Sequence, residues 1–132
     1  METREKITIL VVDDEYFVRA LLEPILSRQG HRVLMAEGGE AGIELFSKHS
    51  GEIGLIVTDV TMPRLDGVRM IETIRKTRPD ARVLFISGVG DHLPLWASET
   101  CGFLLKPFRP SQLLESIAAC LKTTPHGAAA RA

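Results

Sequence analysis

Short, nearly unbroken apolar runs alternate along the chain with longer stretches in which apolar residues return every three or four positions. Residues 7–12, Ile-Thr-Ile-Leu-Val-Val, are rich in β-branched side chains and end at Asp13-Asp14, which predicts a strand covered on both faces. Over 15–29, Val18, Leu21, Leu22, Ile25 and Leu26 recur at helical spacing, and Gly30 stands where a helix stops. Pro24 lies inside that helix, where it removes a backbone hydrogen bond at a cost of ~3 kcal/mol or more, so a kink or a local break is expected. Residues 32–36 predict a second strand, and 40–48 a helix with Ile43 and Phe46 inward, weakened by Gly42.

The third unit is the clearest. Leu55-Ile-Val-Thr-Asp59 predicts an apolar strand ending in a carboxylate, followed by a turn through Met62-Pro63 to Asp66-Gly67 and a helix bearing Val68, Ile71 and Ile74. Strands are predicted at 82–86 and 103–105, and Leu113, Leu114, Ile117 and Leu121 face inward from a last helix. Five such units imply an α/β fold with a parallel sheet and helices on both faces. The 45% hydrophobic content suits a single core, so one domain is expected over residues 6–122. Residues 123–132 carry no apolar period and predict a disordered tail.

Charge narrows the possible partners. Sixteen Lys and Arg against seventeen Asp and Glu leave no overall field toward nucleic acid or an anionic membrane, so neither is expected as a direct partner. No apolar run approaches the ~20 residues that cross a bilayer. Cys101 and Cys120 lack a C-x-x-C spacing, and the N-terminus lacks a signal-type apolar region, so a reducing cytoplasm is the expected setting. His31, His49, His92 and His126 have no metal spacing and are expected on the solvated surface.

Ligands of open parallel sheets bind beyond the carboxyl ends of the strands, where Asp13, Asp14 and Asp59 all stand. If the first and third strands are neighbours, a separation of ~4.8 Å crowds these carboxylates, and a divalent cation best relieves their repulsion. Hard oxygen ligands in so sparse a set favour Mg2+ and phosphoryl chemistry over a structural metal cage. Lys106, directly after the fifth strand, adds an ammonium that can neutralise a phosphoryl group on Asp59, and Ser87 ends the fourth strand on the same rim.

Together, Asp13-Asp14, Asp59, the Met62-Pro63-x-x-Asp66-Gly67 turn, Ser87 and Lys106-Pro107-Phe108 resemble the receiver domain of two-component response regulators over about residues 6–122. The resemblance implies a flavodoxin-like sheet of order 2-1-3-4-5 with about five helices. It also implies that Asp59 is the phosphoacceptor, receiving its phosphoryl group from a histidine of a sensor kinase or of a histidine phosphotransfer protein. Asp14, Asp59 and the backbone carbonyl of Thr61 would hold Mg2+, with Asp13 acting through water. Lys106 would pair with the acyl phosphate, while Ser87 and Phe103 would form the switch that reports to a downstream protein. Such a protein is regulatory, its own chemistry limited to self-phosphotransfer and autodephosphorylation.

Some positions depart from the family pattern. The 19 positions from Ser87 to Lys106 are fewer than usual, Gly88 and Gly90 loosen the segment, and Pro94 interrupts any helix, so a short or irregular fourth helix is expected. Trp96 within it reads as a packed or partly covered side chain, or as a partner anchor. Arg109 stands at the N-cap of the last helix where the family favours Ser or Thr, a loss of ~1 kcal/mol that Pro110 partly offsets. Alternative readings are a phosphate-independent interaction module and the receiver fragment of a hybrid histidine kinase, although Met1 favours an independent protein. A metal-dependent phosphatase is disfavoured because Thr61, two residues after Asp59, is no acid-base carboxylate.

Overall fold

The computed structural model describes residues 6–122. The expected tail at 123–132, and His126 with it, lie outside the described residues. Elements alternate strictly: β1 (Thr8–Val12), α1 (Tyr16–Arg28), β2 (Arg32–Ala36), α2 (Gly39–His49), β3 (Ile53–Asp59), α3 (Gly67–Thr77), β4 (Val83–Ser87), α4 (Leu95–Thr100), β5 (Gly102–Leu105) and α5 (Pro110–Lys122). All strand pairs are parallel, and the sheet order is β2-β1-β3-β4-β5. This is the flavodoxin-like arrangement, in which the first crossover runs to one side of β1 and the later ones to the other.

Each face of the sheet has its own core. Leu10, Val12, Ile56 and Phe85 meet Phe46 of α2, Met70, Ile71 and Ile74 of α3, and Ala97 of α4. On the opposite face Ile9, Val11, Leu55, Val57, Leu84 and Ile86 meet Leu22 and Leu26 of α1 and Leu113 and Ile117 of α5. Because alternate side chains of one strand feed opposite layers, the central strands read as unbroken apolar runs.

Several expectations are corrected. α1 runs through Pro24 without a break. The acceptor that proline leaves without a helical donor is the carbonyl of Ala20, an exposed residue that water can reach. Leu21, one of the helically spaced apolar residues of α1, is 51% exposed, since Leu22 and Leu26 carry the contact with the sheet. His31 is buried, not solvated, and its Nδ1 accepts the backbone N–H of Ile7 at 3.2 Å. Pro94 does not interrupt the short α4 but sits at its N-cap, where its carbonyl accepts from Ala97 and Ser98. The missing Ser/Thr cap of α5 is offset in a second way: Gln112 reaches back to accept the Arg109 N–H at 2.7 Å, one half of a capping box.

Two glycines set how closely the helices approach. A Cβ on Gly42 would lie 2.6 Å from Met70 Sδ and 3.1 Å from Val12 Cγ2. The residue that weakens α2 by propensity therefore lets it close on β1 and α3. At Gly67 a Cβ would lie 2.1 Å from the backbone carbonyl oxygen of Asp59. The Gly67 N–H donates to Val60 O at 2.8 Å, and Asp66 caps α3 by accepting the Arg69 N–H.

Gly67→Ala is expected to destabilise the fold by about 1–3 kcal/mol, since the clash is with backbone that no rotamer change relieves. A urea denaturation midpoint equal to that of the unsubstituted chain would contradict this.

Candidate functional site

The ends of β1, β3, β4 and β5 bring the predicted residues to one rim. Asp59 closes β3 opposite Ile86 of β4, and Ser87 of β4 pairs with Leu105 of β5, immediately before Lys106. One carboxylate oxygen from each of Asp13, Asp14 and Asp59 lies within 4.8 Å of the others. Asp13 and Asp59 are buried and Asp14 is exposed, so the cluster opens to solvent on one side. Lys106 Nζ donates to Asp59 Oδ2 at 3.3 Å, and the Lys106 backbone N–H donates to Ser87 O at 2.9 Å.

Asp13 is the most enclosed member. Its Oδ1 accepts the Glu15 N–H at 2.9 Å, its carbonyl accepts from Arg19 at 2.7 Å, and its Oδ2 is buried with no hydrogen-bond partner. Burial raises its carboxyl to about 6, assisted by the charges of Asp59 and Asp14 and opposed by the Glu15 N–H and Lys106. Asp59 is also pushed above the usual carboxylate range by burial, although the charge and hydrogen bond of Lys106 pull the other way. Burial works to lower the Lys106 ammonium, but Asp59, Asp13 and Glu15 outweigh it and hold the ammonium above its ordinary value. One ammonium thus faces three carboxylates, a deficit of positive charge that a small divalent cation matches in sign and in ligand type.

Ser87 is buried at the rim. Phe103 is partly exposed, and its ring stacks on Phe85 with centroids 6.0 Å apart. Trp96 is half-covered, with the Arg75 guanidinium 5.7 Å from its ring centroid. Thr61 is exposed, and its hydroxyl donates to Asp91 Oδ1 at 2.9 Å. Asp91 escaped the sequence reading, as did Arg19; the signal available for Asp91 was an Asx residue three positions after Gly88 in a glycine-rich turn.

The family model for the response regulator receiver domain matches residues 9–118. The chain belongs to that family. This receiver is 33% identical over 113 residues to the chemotaxis protein CheY of Bacillus subtilis, a match covering 83% of this chain and 92% of CheY. It is 36% identical over 115 residues to the sensor kinase CckA of Brucella abortus, but spans 12% of that protein. The CheX–CheY–BeF3–Mg2+ complex from Borrelia burgdorferi is similar in structure, with a TM-score of 0.81 at 25% identity over 89% of this chain and 90% of that one. Receivers of two-component systems are regulatory modules. Among the described residues of this one, no helix is long and apolar enough to cross a membrane.

The raised Asp13 carboxyl has a definite sign in stability. Because the folded chain holds this proton more tightly than the unfolded chain, whose value is 3.8, stability without divalent cations declines as pH rises from about 4 through about 6. Asp13→Asn is expected to remove Asp13's share of that slope, leaving the share of Asp59, and to stabilise the ion-free protein at neutral pH by on the order of 3 kcal/mol. Urea titrations of both proteins across this range check it; parallel pH profiles would refute it.

Proposed function

We propose that this receiver is a phosphorylation switch in which Asp59 accepts a phosphoryl group from the phosphohistidine of a sensor kinase or histidine phosphotransfer protein. The observation that carries the reading is the single ammonium of Lys106 against the Asp59 carboxylate, beside two further acids at the sheet rim. An Asp59 carboxylate oxygen attacks phosphorus as the P–N bond breaks and its electron pair returns to the imidazole. The product is an acyl phosphate.

The donor set fits Mg2+: three carboxylate oxygens converge, and the buried Asp13 Oδ2 lacks a donor. Asp14, Asp59 and the Thr61 carbonyl would hold the ion, with Asp13 acting through water. Bound there, Mg2+ supplies positive charge against the phosphoryl oxygens. Lys106 stays protonated and pairs with the acyl phosphate. Ser87, next to Asp59's strand neighbour Ile86, moves its hydroxyl toward a phosphoryl oxygen, and Phe103 responds at the surface. Little covalent work is left to the protein beyond positioning the nucleophile.

A protein donor suits the surroundings. Tyr16 and Phe17, directly after the acids at the start of α1, are 74% and 80% exposed, an apolar surface that a small donor does not need. The Borrelia complex holds a CheY together with CheX, BeF3 and Mg2+, which supports Mg2+ and a phosphoryl-like ligand here.

Incubation with a small phosphodonor and Mg2+ should give an acid-stable, base-labile adduct. Asp59→Asn should abolish it, and Asp14→Asn or Lys106→Ala should slow it at least tenfold, as losses of transition-state charge stabilisation do. Intact-mass analysis reads the result, and labelling that survives Asp59→Asn sinks the assignment.

A further inference from the structure

Asp91 lies in the β4–α4 connection, and no step of the proposed chemistry uses it. Its two carboxylate oxygens hold two different loops. Oδ1 accepts the Thr61 hydroxyl at 2.9 Å, on the loop that leaves β3, while Oδ2 accepts the Gly88 N–H at 2.7 Å, on the loop that leaves β4. The return bond from the Asp91 N–H to Gly88 O, at 3.2 Å, closes the turn. Thr61 is two residues beyond Asp59, and Gly88 directly follows Ser87.

On the phosphoacceptor reading of Asp59, we infer that Asp91 is a latch: its carboxylate occupies the Gly88 amide and ties the Ser87–Gly88 segment to Thr61, opposing the movement of that segment toward a phosphoryl group. Three physical points support this. The Gly88 bond is short and charge-assisted, which places it among the stronger hydrogen bonds. The Gly88 N–H that binds this carboxylate could bind another anion in its place, and phosphoryl oxygens on Asp59 would compete for it. A new dianion on Asp59 also repels the Asp91 carboxylate, so phosphorylation weakens the latch that resists it.

Glycine suits the position. A Cβ at Gly88 would have Asp91 Oδ2 as its nearest neighbour, at 3.9 Å, so Gly88 itself is not pinned by close packing. Val89 beyond it is almost fully exposed, and Gly90 has a φ of 93°. Beside the backbone bonds from Lys106 N–H to Ser87 O and from Asp91 N–H to Gly88 O, the carboxylate is the side-chain restraint on this turn. Asp91 acts through Gly88 and Ser87, which makes it a positioning residue.

A bond that holds the segment in one position lowers the fraction of molecules competent to close on phosphoryl, and apparent affinity falls by that fraction. Trp96, the only tryptophan, sits in α4 just beyond the turn and reports the change. Its emission should be followed while the unsubstituted protein, Asp91→Ala, Asp91→Asn and Asp59→Asn are titrated with beryllofluoride in Mg2+. Both Asp91 variants should bind about tenfold more tightly, the worth of one such bond. The Gly88 amide resonance of the ligand-free variants should also move toward its position in the beryllofluoride-bound unsubstituted protein. Asp91→Asn keeps the size and the Thr61 acceptor, so the comparison survives poor folding of the alanine variant. Affinity equal to or weaker than that of the unsubstituted chain in both variants overturns the latch while leaving Asp59 as acceptor. If the unsubstituted chain binds no beryllofluoride, the acceptor reading fails and the latch falls with it.

Discussion

The structure depends on holding three like charges together where two of them have little water. Bringing Asp13, Asp14 and Asp59 within 4.8 Å costs free energy that the isolated chain repays in part through Lys106, one backbone N–H on Asp13, and protons held above their usual range. Everything around the rim serves this arrangement. The apolar strands are rigid because both faces are packed, and their register places β3 and β4 so that Asp59, Ser87 and Lys106 arrive at one level. The rim is left with a deficit of positive charge that a small divalent cation matches in sign and in ligand type.

Much of this was legible in the chain. The apolar runs of β1, β3 and β4 admit almost no other reading, because strands covered on both faces must be apolar throughout, and their ends mark where polar chemistry begins. The acids, Ser87 and Lys106 were found on that logic, and the resemblance they carry is now a family membership. α4 was expected to be short, and it spans six residues.

What the chain concealed has a common cause. Leu21 and Leu22 are alike as residues, and only the tilt of α1 on the sheet decides which one is covered. Gly42 looks like a helix defect until Met70 and Val12 are placed against it. His31 and Gln112 are polar residues whose partners, Ile7 and Arg109, are backbone donors that no side-chain pattern announces. Asp91 belongs to the same class: its partner is Thr61, thirty residues earlier, brought beside it by the pairing of β3 with β4.

The close approach of Gly67 to Asp59 carries a mechanical meaning. With α3 seated against its carbonyl, its strand hydrogen-bonded on both sides, and Val60 N–H donating to Ile86 O just beyond, the backbone at Asp59 has nowhere to retreat. Asp59 stands on its backbone as on an anvil. If Asp59 accepts a phosphoryl group as proposed, the displacement that follows falls to the other wall of the rim, the turn after β4, and to the neighbouring α4 and β5 edge. On that reading the half built on α1, α2 and α3 would keep one shape whether or not Asp59 is modified, and a delivering partner could meet the same surface each time.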